Sequence, residues 1–383
     1  MDTNKTIEHI IFMGPCHPYR GGIASFTERL AKEFNAHNFK TELLTFSLQY
    51  PSILFPGKTQ FSDSPAPTGL NISREINSIN PFNWFRTGWK LKRNKPDLII
   101  VRYWLPFMGP AFGTILRIAK WNNHTRVICI ADNIIPHEKR IGDTLFTRYF
   151  SGAIDAFIAM SQQVLDDFKK LQIKQPVTLL HHPIFDHFGN KTETRVARNH
   201  FNLKDTDKVI LFFGFIRHYK GLDVLLEAML DPRIKNNGYK LLIAGEFYED
   251  KSKYEALIQE FGIGDSIQIH DDFIPEKDIT LYFSAADVLV QPYRHATQSG
   301  VTPLAYHFEL PMIVTNVGGL TEMMLDGETG LIAEPNPRSI ADQLVVFFEK
   351  GKESFIEPLV REKQKYTWDG MLKGIVDTYN AIK

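Results

Sequence analysis

Cysteine is nearly absent: 383 residues contain only Cys16 and Cys129. That excludes a disulfide framework and a cysteine-rich zinc module, and it fits a reducing, cytosolic compartment. Net charge is absent too. The 44 basic and 44 acidic side chains balance, so nothing in the total implies a nucleic-acid partner. A long apolar run is also missing. The longest uncharged apolar stretch, Trp104–Leu116, has 13 residues, two prolines and two glycines, whereas about 20 are needed to span a bilayer. The first residues carry two acids and no apolar core, so they do not read as a signal peptide. No GxGxxG and no Walker lysine–serine pattern occurs, which disfavours a nicotinamide dehydrogenase. No His/Cys/Asp/Glu cluster has zinc spacing, and Asp205-Thr206-Asp207 reads as a solvated loop before a strand. No metal and no cofactor is therefore expected.

What is present is an ordinary globular composition, 43% apolar and 23% charged. At about 150 residues per domain the length suggests two or three domains. Charge is unevenly spread. Residues 71–128 hold ten cations and two acids, a net of +8, and residues 241–290 hold eleven acids and three lysines, a net of −8.

Short β-rich runs alternate with helical patterns. Ile7–Gly14, Lys40–Phe46, Asp97–Val101, Arg126–Ile130, Ala156–Ala159 and Val177–Leu180 read as buried strands. The alternation then restarts with Lys208–Gly214, Lys240–Gly245, Ser266–His270, Val288–Gln291, Met312–Thr315 and Gly330–Ala333. Such a pattern argues for α/β architecture with parallel sheets covered by helices, in two doubly wound, Rossmann-like domains. A (β/α)₈ barrel would use most of the same elements. The irregular segment Ser47–Asn80, with four prolines, and the polar joint Asp186–Asn199 count against it. Ser47–Asn80 reads as a long functional or mobile loop.

Three turns suit an anion. Gly21-Gly22 opens a helix after the first strand, where backbone N–H groups and the helix dipole favour negative charge. A strained turn without a ligand is an equal reading of that motif. Gly214-Phe215-Ile216-Arg217-His218-Tyr219-Lys220-Gly221 places two cations between a strand end and a helix start. Arginine forks phosphate oxygens and lysine adds a point charge. Ala296 to Pro303 offers Thr297 or Ser299 as a cap and free N–H groups near Gly300.

These residues resemble glycosyltransferase family 4, retaining enzymes of the GT-B fold. The likeness rests on Gly214 to Gly221, Ala286-Asp287-Val288 with Gln291-Pro292-Tyr293, Pro311 to Thr315, Val317 to Glu322 and Asp326 to Gly330. In the first half, Gly21-Gly22-Ile23 resembles the family's glycine loop, and Asp132-Asn133-Ile134-Ile135-Pro136-His137-Glu138 its His-Asn…Pro-His-Glu stretch. The resemblance implies a first domain of residues 1–186, completed by a helix at 366–383, and a donor-binding domain of residues 187–365. It implies that Arg217 and Lys220 hold a donor diphosphate, helped by backbone N–H groups at Gly21-Gly22 and Ser299-Gly300-Val301. Phe273 and Ile274 would receive the nucleotide base, and Glu322 matches the glutamate after the Gly-Gly turn.

Two features depart from the family. Its pair of glutamates eight positions apart falls on Ala296 and Leu304, or on Thr297 and Ala305, and no glutamate occurs between Glu276 and Glu309. The histidine expected after the fourth strand is Asp132. Thr297, Gln298, Asp132 and His137 are the nearest residues to fill these roles. The expectation is a metal-independent hexosyltransferase using a nucleotide-diphosphate sugar, with a saccharide or lipid-linked acceptor in cell-envelope or polysaccharide synthesis. A glycosyltransferase-like scaffold without activity and a nucleotide-sugar epimerase are the alternatives. In Asn83–Asn94, Trp84, Phe85 and Trp89 interleave with cations. The aromatics read as core rather than as an interfacial helix, and the basic face leaves peripheral contact with an anionic membrane open.

Overall fold

The computed structural model describes residues 7–51, 59–62, 64–136, 141–186 and 188–383. The chain divides into two compact units, Met1–His182 with Trp368–Lys383, and Pro183–Thr367.

The first unit is built on seven strands: β1 (His9–Met13), β2 (Lys40–Leu48), β3 (Ile72–Asn77), β4 (Leu98–Tyr103), β5 (Arg126–Ala131), β6 (Ala156–Ala159) and β7 (Val177–Leu179). Their order is β3-β2-β1-β4-β5-β6-β7, and every neighbouring pair is parallel. β1, β4 and β5 read almost continuously apolar because helices cover both faces of the sheet. The order reverses between β1 and β4, the switch point at which open α/β sheets bind ligands beyond the strand ends. Helix α1 (Gly22–Ala36) follows β1, α2 (Pro81–Asn94) precedes β4, and α3 (Gly109–Lys120) follows it. Helix α4 (Asp143–Ser151) precedes β6. Asn80 caps α2, accepting from the Asn83 amide, and Pro81 sits at its first position.

β3 lies inside the segment that the sequence presents as irregular. It is an edge strand, and only Ile76 of its six residues is buried. Its polar make-up, Ile-Ser-Arg-Glu-Ile-Asn, therefore carries no apolar run. The C-terminal helix, Trp368–Ala381, belongs to this unit. The Trp368 ring lies 5.1 Å from that of Phe26, and the Thr378 and Thr178 hydroxyls bond at 3.1 Å. Leu180 packs where a side chain on Gly374 would collide.

The second unit carries β8 (Val209–Phe213), β9 (Lys240–Ala244), β10 (Ile267–His270), β11 (Val288–Gln291), β12 (Met312–Thr315) and β13 (Gly330–Ala333). The order β10-β9-β8-β11-β12-β13 is again parallel throughout, with its switch point between β8 and β11. Phe212, Leu241, Ile243, Val290, Ile313 and Leu344 are core residues here. Among the described residues no helix is long and apolar enough to cross a membrane.

Candidate functional site

In the second unit the chain leaves β8 through Gly214, whose φ of 101° suits glycine. A Cβ there would stand 2.9 Å from the Lys220 ammonium. The missing side chain thus makes the room into which Lys220 folds. Gly221 has φ 68° and its Cα faces the Pro292 carbonyl, so only glycine fits between Lys220 and the helix Leu222–Ala228. Asp223 and Arg294 pair at 2.7 Å, and Arg294 also bonds the His218 carbonyl. This ties the 217–221 turn to the chain after β11.

Lys220 is 7% exposed. Its ammonium lies 5.4 Å from the Tyr293 ring, and no carboxylate pairs with it among the described residues. Burial first, and the Arg217 cation second, push its pKa down to about 7. Arg217 is exposed, and its guanidinium stacks 4.9 Å from the Tyr248 ring. Tyr248 packs on Phe215 (4.5 Å), and Phe215 faces Phe273 (6.2 Å). Ile274, beside Phe273, is buried. A row of three aromatics therefore connects the expected base position to the expected phosphate cation. In the sequence Phe215 and Tyr293 stand only as members of matching motifs, without a role at the site, and nothing points to Tyr248. Their signal was an aromatic next to each turn residue at a strand's carboxyl end.

The 296–303 turn stands at the same switch point. Val301 lies 3.5 Å from a Cβ placed on Gly214. Ser299 donates to Gln291 Oε1 (2.6 Å), and its Oγ accepts the Val301 amide (3.2 Å). That amide is satisfied within the turn rather than left open. Gly300 precedes the helix Val301–His307. Gly318 has φ 49° and its Cα packs on the Ala296 carbonyl, which also accepts the Gly319 amide at 3.1 Å. The turn carrying the half-buried Glu322 is thereby held against the loop of Thr297 and Gln298. Ala296, Thr297, Leu304 and Ala305, where the family places glutamates, are all buried.

In the first unit, Gly21 (φ 106°) and Gly22 begin α1 without a side-chain cap. Asp132 follows β5 directly. Arg102, on β4, donates to it through Nε at 3.1 Å and also through Nη2. Arg102 is 3% exposed and its guanidinium lies 4.1 Å over the Phe26 ring of α1. Its Nη1 has no hydrogen-bond partner among the described residues. Asp132 is thus committed to a buried ion pair with β4, the strand that borders the switch point. The sequence signal was a lone arginine inside the apolar run Leu98–Tyr103. His137 lies outside the described residues. Among the described residues, one three-residue group has metal-ligand geometry: Glu33, His37 and Asp369, at the opposite end of α1 from Gly22 and mostly exposed.

Two family models match the chain. Residues 20–186 match Glycosyltransferase Family 4, and residues 207–350 match Glycosyl transferases group 1. The chain belongs to this family of glycosyltransferases. A D-inositol 3-phosphate glycosyltransferase of Corynebacterium urealyticum is 27% identical over 203 residues, 51% of this chain and 48% of that protein. An uncharacterised glycosyltransferase of Methanocaldococcus jannaschii is 30% identical over 190 residues, 48% of this chain and 47% of that protein. The chain spans about half the length of the curated relatives it matches.

Solved glycosyltransferase-type structures match over almost the full chain. A glycosyltransferase from Rickettsia africae has a TM-score of 0.77 at 15% identity, covering 98% of each chain. Anabaena HepE, solved with UDP and glucose, has a TM-score of 0.75 at 13% identity, covering 98% of this chain and 100% of that one. Sucrose-phosphate synthase from Thermosynechococcus elongatus has a TM-score of 0.73 at 16% identity, covering 98% and 99%. The fold of this family member is GT-B: two Rossmann-like units, each with a parallel sheet.

Proposed function

We propose that the protein is a retaining glycosyltransferase that moves a hexose from a nucleotide-diphosphate sugar to a hydroxyl acceptor. One observation supports the reading most. Lys220 is a buried ammonium with another cation beside it and no carboxylate against it among the described residues. A cation so placed is costly until an anion arrives. A diphosphate bridging Arg217 and Lys220 supplies that anion, and both cations then stabilise the nucleoside diphosphate as charge grows on it in the transition state. That leaves no task at the leaving group for a divalent metal, so the reaction is metal-independent. The aromatic row Phe273, Phe215, Tyr248 suits a base at one end and phosphate at the other. HepE is solved with UDP-glucose, which favours a donor of that class.

In the first unit, Gly21-Gly22, Asp132 and His137 serve the reacting sugar and its acceptor. Asp132 does so as the ionised partner of Arg102 rather than as an isolated base. The acceptor is a saccharide or lipid-linked saccharide of cell-envelope or polysaccharide synthesis, met in the cytoplasm at the inner face of the membrane. Calorimetric titration with nucleoside diphosphates tests the donor site. Arg217→Ala and Lys220→Ala each weaken binding, and unchanged affinity in both removes the assignment.

A second reading, a nucleotide-binding protein without transfer, is favoured by the buried apolar Leu304 and Ala305 at glutamate positions. Release of nucleoside diphosphate from a donor sugar separates the two.

A further inference from the structure

The expectation that the aromatics of α2 are core holds only for Trp84, which is partly buried and donates its indole N–H to the Asn77 carbonyl (2.6 Å). Phe82 is 88% exposed, Phe85 57% and Trp89 43%. These three fall on one side of the helix, opposite the buried Thr87, Gly88 and Leu91. The opposite side is fixed by packing: a Cβ on Gly88 would collide with Ile115 and Ile118 of α3. The aromatic face therefore points out because the glycine face must point in. An apolar stripe of this size on a soluble helix is unusual without a partner.

The charges on that face are of one sign. Arg86, Lys92 and Arg93 share it, and no acid occurs between Glu75 and Asp97. Both of those acids are engaged elsewhere. Glu75 pairs with Lys90. Asp97 accepts the Glu8 and His9 amides and pairs with His124. Of the other cations in residues 71–128, Arg102 pairs with Asp132 and Lys120 with Asp155. Arg86, Lys92, Arg93 and Lys95 have no carboxylate partner among the described residues. Lys92 and Arg93 instead lie 4.2 and 5.8 Å from the Trp89 ring. Asn122 donates to the Lys92 carbonyl (3.4 Å), so the exposed Trp121 stands at the same end of the helix.

We infer that α2 is an interfacial helix that docks on an anionic bilayer, its aromatics entering the headgroup layer and its cations meeting lipid phosphates. Aromatic and aliphatic bulk with flanking Lys/Arg is the composition that suits that layer. A second copy of the chain fits less well, because a two-fold contact would set Arg86, Lys92 and Arg93 against themselves. The assignment gives a surface to the membrane contact that would bring a lipid-linked acceptor to the enzyme. It rests on that part of the proposed function and is independent of the donor site.

Sedimentation of the full chain with phosphatidylglycerol-containing vesicles and with pure phosphatidylcholine vesicles tests it. The protein should sediment with the anionic vesicles at low salt, much less at high salt, and little with the neutral ones. Arg86→Gln, Lys92→Gln and Arg93→Gln together should weaken vesicle affinity on the order of a hundred-fold. Brominated acyl chains should quench wild-type tryptophan fluorescence, less so in Trp89→Phe. Nucleoside diphosphate affinity should be unchanged in every variant, which separates loss of docking from loss of folding or of the donor site. Wild-type protein left in the supernatant at low salt overturns the inference. So does a triple variant that sediments like wild type. So does a dimer in free solution that Phe82→Ser and Phe85→Ser dissociate.

Discussion

Removing the Lys220 charge gives the sharpest prediction, because the structure sets both its sign and its size. Burial and Arg217 hold the ammonium at a pKa of about 7, against an ordinary value of 10.5. At pH 8 only about a tenth of it is then charged in the free protein. A bound diphosphate restores the charge, so binding should take up about 0.9 proton at pH 8 and about 0.5 at pH 7. Affinity carried by this contact should fall about tenfold for each pH unit above 7. Calorimetric titration of the preferred nucleoside diphosphate in buffers of different ionisation enthalpy reads the uptake directly. Lys220→Met keeps most of the unbranched side chain and removes the titrating ammonium. The difference between the two proteins cancels protons bound by the ligand's own phosphate. Equal uptake in wild type and Lys220→Met, or none in either at pH 8, would refute the reasoning.

The same group makes a stability prediction. Its folded pKa lies below its unfolded one, so between about pH 7 and about pH 10 the unfolded chain binds more protons. Its contribution should therefore make the free protein more stable as pH rises through that window. Urea midpoints of wild type minus Lys220→Met should show that slope, and a flat difference would count against it. Asp132→Asn should leave the buried Arg102 charge uncompensated, costing roughly 3–5 kcal/mol in chemical denaturation. A loss below about 1 kcal/mol would mean that the pair is solvated. Ile375, fully buried in the C-terminal helix, should cost about 2–4 kcal/mol as Ile375→Ala. Turnover should survive EDTA; complete loss restored by magnesium or manganese would contradict the metal-independent mechanism.

The two sheets were legible because their strands are short, β-branched and buried on both faces. Five of the six strands of the second unit announce themselves in this way; β10, an edge strand whose four residues are all half-buried, shows only through its alternating Ile267 and Ile269. β3 did not, since an edge strand with one buried side chain leaves no periodic trace. Helix α2 was legible in extent but not in orientation. Interleaved aromatics and cations fit either face, and Gly88 closing on Ile118 of α3, a contact distant in sequence, decides between them. The site shows the same division. Gly214, Arg217 and Lys220 stood out as a turn between strand and helix. The burial of Lys220 did not, because it depends on Tyr293 from another strand's end and on space that Gly214 leaves. Arg102 and Asp132 lie 30 positions apart, and only the β4–β5 register brings them together.

Thermal unfolding of the wild-type protein in EDTA, with and without UDP, GDP and ADP, tests the donor-site claim most directly. A ligand bound by the native state raises stability by about 2.7 kcal/mol at a hundred times its Kd. One nucleoside diphosphate should raise the melting temperature of the wild type without metal and leave that of Lys220→Ala with Arg217→Ala unchanged. No shift with any of the three, or the same shift in wild type and double variant, would contradict a diphosphate held between Arg217 and Lys220.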